Sequence, residues 1–276
     1  MDRTRWMLLV GLLAAPALSV TGGCGGRLIS TEQEIAMGQD AAPQFAEEFG
    51  GRVDDAALQQ YVTDVGMSVA RKCDRELPYE FILVRSEQPN AFALPGGKIF
   101  LTAGLMDRMT NERQMAAVLG HETGHCCERH NVKQMERQLG VSVVAQIAGQ
   151  VFSESSLPVG DIAKIVGAMT NLKYSRNDEY EADQLGIEYM SRAGYNPWGM
   201  VELLTVLKNL SEREPGSLEE MFSTHPLTDN RIDEARETIE DDHDEADPEA
   251  RDPDREQFLA MRNRLRRAVP GLPAPD

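Results

Sequence analysis

The sequence predicts an α+β fold in which helices dominate. Apolar residues recur at three- and four-residue spacing through most of the chain. Two short runs rich in β-branched and aromatic residues, Tyr79 to Arg85 and Lys98 to Thr102, interrupt that spacing. A turn-forming Leu94-Pro95-Gly96-Gly97 lies between them. With 276 residues, 41% of them hydrophobic, the chain is long enough to bury a sizeable core. The net charge of -17 repels nucleic-acid phosphates and anionic headgroups, so nucleic acid is not expected as a partner.

The N-terminus is of a separate kind. Arg3 and Arg5 precede an apolar run from Trp6 to Leu18, shorter than the roughly 20 residues of a spanning helix and therefore read as a secretory signal over residues 1–24. Cys24, flanked by glycines, stands where a bacterial lipoprotein is acylated, although Thr21 replaces the usual aliphatic residue. The competing reading is a nearby cleavage site and an ordinary free cysteine. The expectation is an exported, periplasmic protein whose one contact with the outer membrane is a lipid anchor at Cys24. In that oxidising compartment Cys73 can bridge Cys126 or Cys127, or all three can pack as buried thiols.

Residues 30–50 and 54–73 carry helical spacing. The two β-rich runs across the Pro-Gly-Gly turn predict a small antiparallel sheet. Residues 109–130 read as one helix, with Thr110 or Asn111 as its cap and Met115, Val118 and Leu119 as its buried stripe. Ser153 to Gly160 joins two apolar helices and is either a lid or a plain loop. Residues 171–190 form a further helix. The acidic run 240–254 is expected to be a solvated linker with His243 a bystander, and residues 255–268 a solvated amphipathic helix, with docking on the acidic body or on a partner as the alternative. The domain division is thus a body over residues 30–240 and a linker plus helix over 241–276. No internal repeat of fixed period is present.

Ala116 to His130, AAVLGHETGHCCERH, concentrates the chemistry. His121 and His125 lie four residues apart and so project from one helical face about 6 Å from each other, within reach of one cation. Glu122, rotated by about 100°, lies beside such an ion without ligating it and is placed to take a proton from its water. A catalytic zinc needs a third protein ligand. Residues 171–190 offer Glu179 as that ligand and Asp183, one turn on, to hold the distal N–H of a ligand histidine. Asp178 and Glu181 are read as surface charges, though geometry alone does not exclude Glu181. Cys126 and Cys127 are turned about 100° and 200° from His125 and are not expected to ligate.

These segments, HETGHCCERH, SRNDEYEAD, NAFALPGGKIFLTAGL and STHPLTDNR, stand in the same order as in the zinc metallopeptidases that include the HtpX, CaaX prenyl protease and BepA-type proteins. The chain resembles that family from about Ser30 to Glu240. The resemblance implies one zinc ion on His121, His125 and Glu179, Glu122 as catalytic base, and Glu179 rather than Glu181 as the ligand, because the family's E-x-x-x-D pattern runs from Glu179 to Asp183. It also brings His225 and Arg231 toward the site. His225 is expected as an oxyanion donor or a regulatory fourth ligand, and Arg231 as a catalytic donor or a structural ion-pair partner. Lys98, Ile99, Phe100, Leu101 and Thr102 are expected to form an edge strand that pairs with an extended substrate. Relative to the family, the membrane helices and the helical-repeat domain of some members are absent from this sequence. The implied substrates are unfolded polypeptides, with misfolded or stalled envelope proteins as targets and envelope assembly machinery as a partner. The rival expectation is a latent zinc-containing periplasmic chaperone or binding protein.

Overall fold

The computed structural model describes residues 29–151, 156–216 and 218–272. The signal segment with Cys24, and Ser153 to Ser155 of the loop read as a lid, lie outside the described residues. The fold is α+β and mostly helical. Ser30 opens α1 (Thr31–Glu48) through a reciprocal capping box with Gln33. Asp55 opens α2 (Ala56–Ala70) by accepting the N–H groups of Ala57 and Leu58.

Three strands follow: β1 (Glu80–Val84), β2 (Ala91–Leu94) and β3 (Lys98–Thr102). Their order is β1-β3-β2, with β1 parallel to β3 (Glu80 opposite Lys98) and β2 antiparallel to it (Ala91 opposite Leu101). The sheet is therefore mixed, and the two runs expected to pair antiparallel are parallel neighbours. The unexpected strand β2 reverses through Gly96 and Gly97, whose φ of 74° and 86° need glycine, and hairpins onto β3. That makes β3 the central strand. Its two edges are occupied by β1 and β2, so Lys98 to Thr102 cannot take up a substrate strand as expected.

Strand alternation divides the interior in two. Phe81, Leu83, Ala93, Ile99 and Leu101 face a core shared with α2 and the helices beyond the sheet. Ile82, Val84, Phe92, Leu94 and Phe100 face a second core with α1. After α3 (Ala103–Arg108) comes α4 (Glu112–Cys127), capped by Asn111 and not Thr110. The helix expected to reach residue 130 stops at Cys127. Arg129 adopts a left-handed φ of 59°, and α5 (His130–Leu139) starts in a new direction. Then α6 (Val141–Gln150) and α7 (Val159–Thr170) pack on the second core. Next come α8 (Arg176–Arg192), α9 (Trp198–Arg213), the short α10 (Glu219–Thr224) and α11 (Asp229–Asp242).

The last helix, α12 (Arg255–Ala268), is docked and not solvated: Phe258 and Leu265 are fully buried in the first core, and Arg266 pairs with Asp107. The acidic stretch before it is pinned as well. Asp252 accepts the N–H groups of Glu112 and Arg113 at the start of α4, and the Ala246 and Ala250 carbonyls accept from Trp198 and Arg113. A disulfide joins Cys73 to Cys127, and Cys126 is a buried free thiol. No described helix is long and apolar enough to cross a membrane.

Candidate metal centre

The site exists because α4 and α8 approach more closely than ordinary helices. A Cβ on Gly120 would stand 3.1 Å from the Gly186 carbonyl oxygen, one on Gly186 would stand 2.9 Å from the His121 backbone nitrogen, and one on Gly124 would stand 3.2 Å from the Ala182 Cα. Small residues on both helices let the backbones nearly touch, which carries the first turns of α8 to the His121/His125 face of α4. Ser175 sets where α8 begins through a second capping box, with Asp178.

Four donor atoms converge, from His121, His125, Glu179 and His225, all within 4.8 Å of one another and all buried. It is the one such cluster among the described residues. His121 Nε2 lies 3.0 Å from His125 Nε2 and 3.3 Å from His225 Nδ1. The Glu179 carboxylate stands 3.0 Å from His225 Nδ1, 3.4 Å from His125 Nε2 and 3.7 Å from His121 Nε2. Ligands about 2.0–2.1 Å from a tetrahedral zinc are separated from one another by roughly 3.4 Å. The nitrogen and oxygen set and its spacing therefore fit zinc.

Protonation of two of the donors agrees with that fit, since metal ligands must be deprotonated; at His225 burial favours the neutral ring, but the Glu179 and Glu122 charges outweigh it and raise the pKa. Burial drives His125 well below the usual imidazole range, toward the neutral form. Burial alone would raise Glu179, but the charges of Arg231 and His225 outweigh it and hold the carboxyl well below its ordinary value. Glu122 behaves oppositely. Its burial pushes the pKa up, only partly offset by His225 and His121, and its Oε2 is buried with no hydrogen-bond partner. Its other oxygen lies 3.7 Å from His225 Nε2. A solvent-excluded carboxyl with an idle oxygen, adjacent to a metal-ready cluster, is suited to exchange protons.

Asp183 accepts from His121 Nδ1 at 2.8 Å, which leaves Nε2 directed at the cluster. Arg231, expected as a catalytic donor or an ion-pair partner, is placed as the latter. Its Nε and Nη2 donate to Asp183 at 2.7 Å each and its Nη1 to Glu179 and the Pro226 carbonyl. The guanidinium fork is thus committed to two carboxylates.

Two participants escaped the sequence reading. His130 Nδ1 lies 3.0 Å from His125 Nδ1, and its Nε2 lies 3.1 Å from Glu181 and 3.7 Å from Asp178. With His125 Nε2 facing the cluster, its Nδ1–H donates to His130, and His130 Nε2–H donates to Glu181. Glu181, exposed as a surface charge should be, is thus also the far end of a relay behind His125, while Asp178 stands nearby without a hydrogen bond to His130. The sequence signal was present in the third histidine of the cluster, but its use depends on the helix break at Arg129. Tyr174 stacks on the His125 ring, 3.8 Å between centroids and 11° between planes, and nothing in its sequence surroundings marks it.

Residues 56–239 match the model described as peptidase family M48. The chain is 32% identical over 235 residues to a beta-barrel assembly-enhancing protease of Yersinia pestis, covering 82% of this chain and 48% of that protein. It is 30% identical to the mitochondrial metalloendopeptidase OMA1 of Schizosaccharomyces pombe, over 74% of this chain and 60% of that one. It is 31% identical to the metalloprotease LoiP of Escherichia coli K12, over 60% and 64% respectively. The chain spans about half the length of the beta-barrel assembly-enhancing proteases it matches.

Proposed function

The chain belongs to peptidase family M48, and on that premise we propose that it is a zinc metalloendopeptidase that cuts unfolded or misassembled proteins of the cell envelope. The observation that carries the reading is Glu122, a buried carboxyl with an unpartnered oxygen beside a His-His-Glu donor set. Bound by His121, His125 and Glu179, zinc would supply a Lewis acid that acidifies water and polarises a peptide carbonyl. Glu122 Oε2 takes the proton that the attacking water releases and later delivers it to the departing amine. Asp183 and Arg231 hold His121 and Glu179 in register throughout.

His225 stands where a fourth ligand belongs, and this supports a latent resting state in which its ring must swing out before substrate enters. Because β3 is enclosed, the pairing edge for an extended substrate passes to β2. The Ala93 carbonyl accepts from Asn131 Nδ2 at 3.2 Å, a bond that an incoming strand would displace, and Phe92 and Ala93 line a shallow hollow with Tyr174, Thr224 and His225. The envelope location rests on the signal segment and on Cys24 as lipid anchor. The assembly machinery as partner rests on the name of the Yersinia relative.

Hydrolysis of an unfolded casein by the purified mature protein tests the activity. Loss of the proton carrier in Glu122→Gln is expected to slow cleavage by at least about a hundredfold, with zinc content unchanged. Equal rates for the two proteins, both as purified and with His225→Ala added to release the closed state, would end the peptidase reading. Radiolabelled palmitate incorporation that survives in Cys24→Ser would end the anchor.

A further inference from the structure

We propose that Glu34 and Arg129 are positioning residues for the metal centre: together they hold the turn that presses His130 against His125, and so set how firmly zinc is gripped. The proposal rests on the zinc reading of the site and adds a control that lies outside it.

Arg129 is unusual in its backbone. Among the described residues it is the one non-glycine with a left-handed φ, at 59°. A helix that ends by turning into that region ordinarily takes glycine there, because a Cβ is strained in it. Glycine would make the same turn without strain, so the reason for arginine lies in its side chain. That guanidinium is engaged on two sides. Nε lies 3.0 Å from Glu34 Oε2, and Nη2 donates to the Ile29 carbonyl at 3.0 Å.

Glu34, on α1, is fully buried and gathers the region around it. Arg75 donates to both of its oxygens, at 3.0 and 2.7 Å, and the Gly96 N–H reaches Oε1 at 3.3 Å. The same Arg75 donates to the Cys126 carbonyl at 2.7 Å, in the last turn of α4. One carboxylate therefore restrains both sides of the helix break, α4 through Arg75 and the turn itself through Arg129. Separating a buried carboxylate from its cations is strongly unfavourable, so neither guanidinium is free to drift.

His130 is the next residue. With the turn held in this way, its Nδ1 comes to 3.0 Å from His125 Nδ1, while His125 Nε2 faces the donor cluster. The other partner of His130 is Glu181, whose side chain is 53% exposed, and a contact so open to water restrains the ring weakly. The buried network is the firmer restraint. Contacts made by α1 thus reach the zinc ligand through the hydrogen bond that fixes its tautomer and orientation.

The test is a double-mutant cycle read by chelator competition on the full chain, with zinc as the probe. Arg129→Gly keeps the backbone turn and removes the guanidinium. It should raise the zinc dissociation constant at least about tenfold, as loss of a partner behind a ligand histidine does. In a His130→Ala background the same change should add less than about twofold, because the contact it acts through is already gone. Arg129→Lys, which keeps a cation for Glu34, should recover part of the loss. If glycine at this position unfolds the chain, Arg129→Gln, which keeps the length and loses the charge, carries the same expectations. A second readout is proton NMR of the zinc-loaded protein. The His125 ring N–H, identified by its absence from His130→Ala, should be lost to fast exchange in Arg129→Gly and persist in Arg129→Lys. Circular dichroism is recorded for each variant. An unchanged dissociation constant in folded Arg129→Gly, losses that simply add in the double variant, or a ring proton that survives in Arg129→Gly would overturn the proposal. These readouts need no turnover, so such results leave the peptidase reading standing; a wild-type chain that takes up no zinc would remove both.

Discussion

Histidine 125 shows how much a single side chain depends on its neighbours. One nitrogen faces the donor cluster, the other meets His130, and one ring face is covered by Tyr174. Losing a partner behind a ligand histidine typically weakens metal binding about 10- to 100-fold. His130→Ala is therefore expected to raise the zinc dissociation constant by that factor in chelator competition, with His130→Asn, which can still accept from His125, recovering part of it. An unchanged constant in a folded His130→Ala protein would show the relay to be idle. Arg231 acts through charge. Removing it leaves Glu179 and Asp183 buried without their cation, a loss of about 3–5 kcal/mol in comparable buried pairs. Urea unfolding of Arg231→Met in the zinc-free state should show it, and a change under about 1 kcal/mol would mean the pair is better solvated than its burial indicates. Regular helical spacing made His121, Glu122, His125 and Asp183 legible in the sequence, whereas the choice of Glu179 over Glu181 came from the family resemblance. His130 and Tyr174 were illegible: a left-handed residue turns one back, and a distant stretch lays the other down.

Between elements, the decisive contact is that of α4 with α8, and it is written in glycine. A Cβ at Gly186 would stand 2.9 Å from both the His121 nitrogen and Met200 Cε. Gly186→Val must push the helices apart, separating His121 and His125 from Glu179. We expect a stability loss of roughly 1–3 kcal/mol from the overpacked contact and a zinc affinity reduced at least about tenfold. Full affinity in a stably folded Gly186→Val protein would contradict the close-approach argument. The sheet was harder to read than the helices. Two of the four residues of β2 are alanine, which favours strands little, so the Ala91–Leu94 strand went unseen. Without it, the parallel pairing of β1 and β3 cannot be inferred, because parallel neighbours need a segment that carries the chain back, and here that segment is β2.

At the level of the whole molecule, two long-range ties hold α4 at its ends. The Cys73–Cys127 bridge, spanning 54 residues, anchors the C-terminal end to the chain just beyond α2. By loop-closure entropy such a bridge contributes about 4 kcal/mol, so Cys73→Ser with Cys127→Ser should lose about that much in urea melts, and a loss under about 1 kcal/mol would show the bridge to be dispensable. The N-terminal end is tied by Asp252 from the acidic stretch. Asp252→Ala is expected to cost about 1 kcal/mol, as loss of a cap does. Composition hid this tie, because one buried aspartate among many exposed acids carries no distinguishing pattern. The most direct test of the account is metal analysis with X-ray absorption on the mature protein and on Glu179→Ala. The account predicts one zinc per chain, nitrogen and oxygen neighbours at about 2.0–2.1 Å, no sulfur, and a large fall in zinc content for the variant. Sulfur in the coordination shell, or full zinc retention without Glu179, would contradict it.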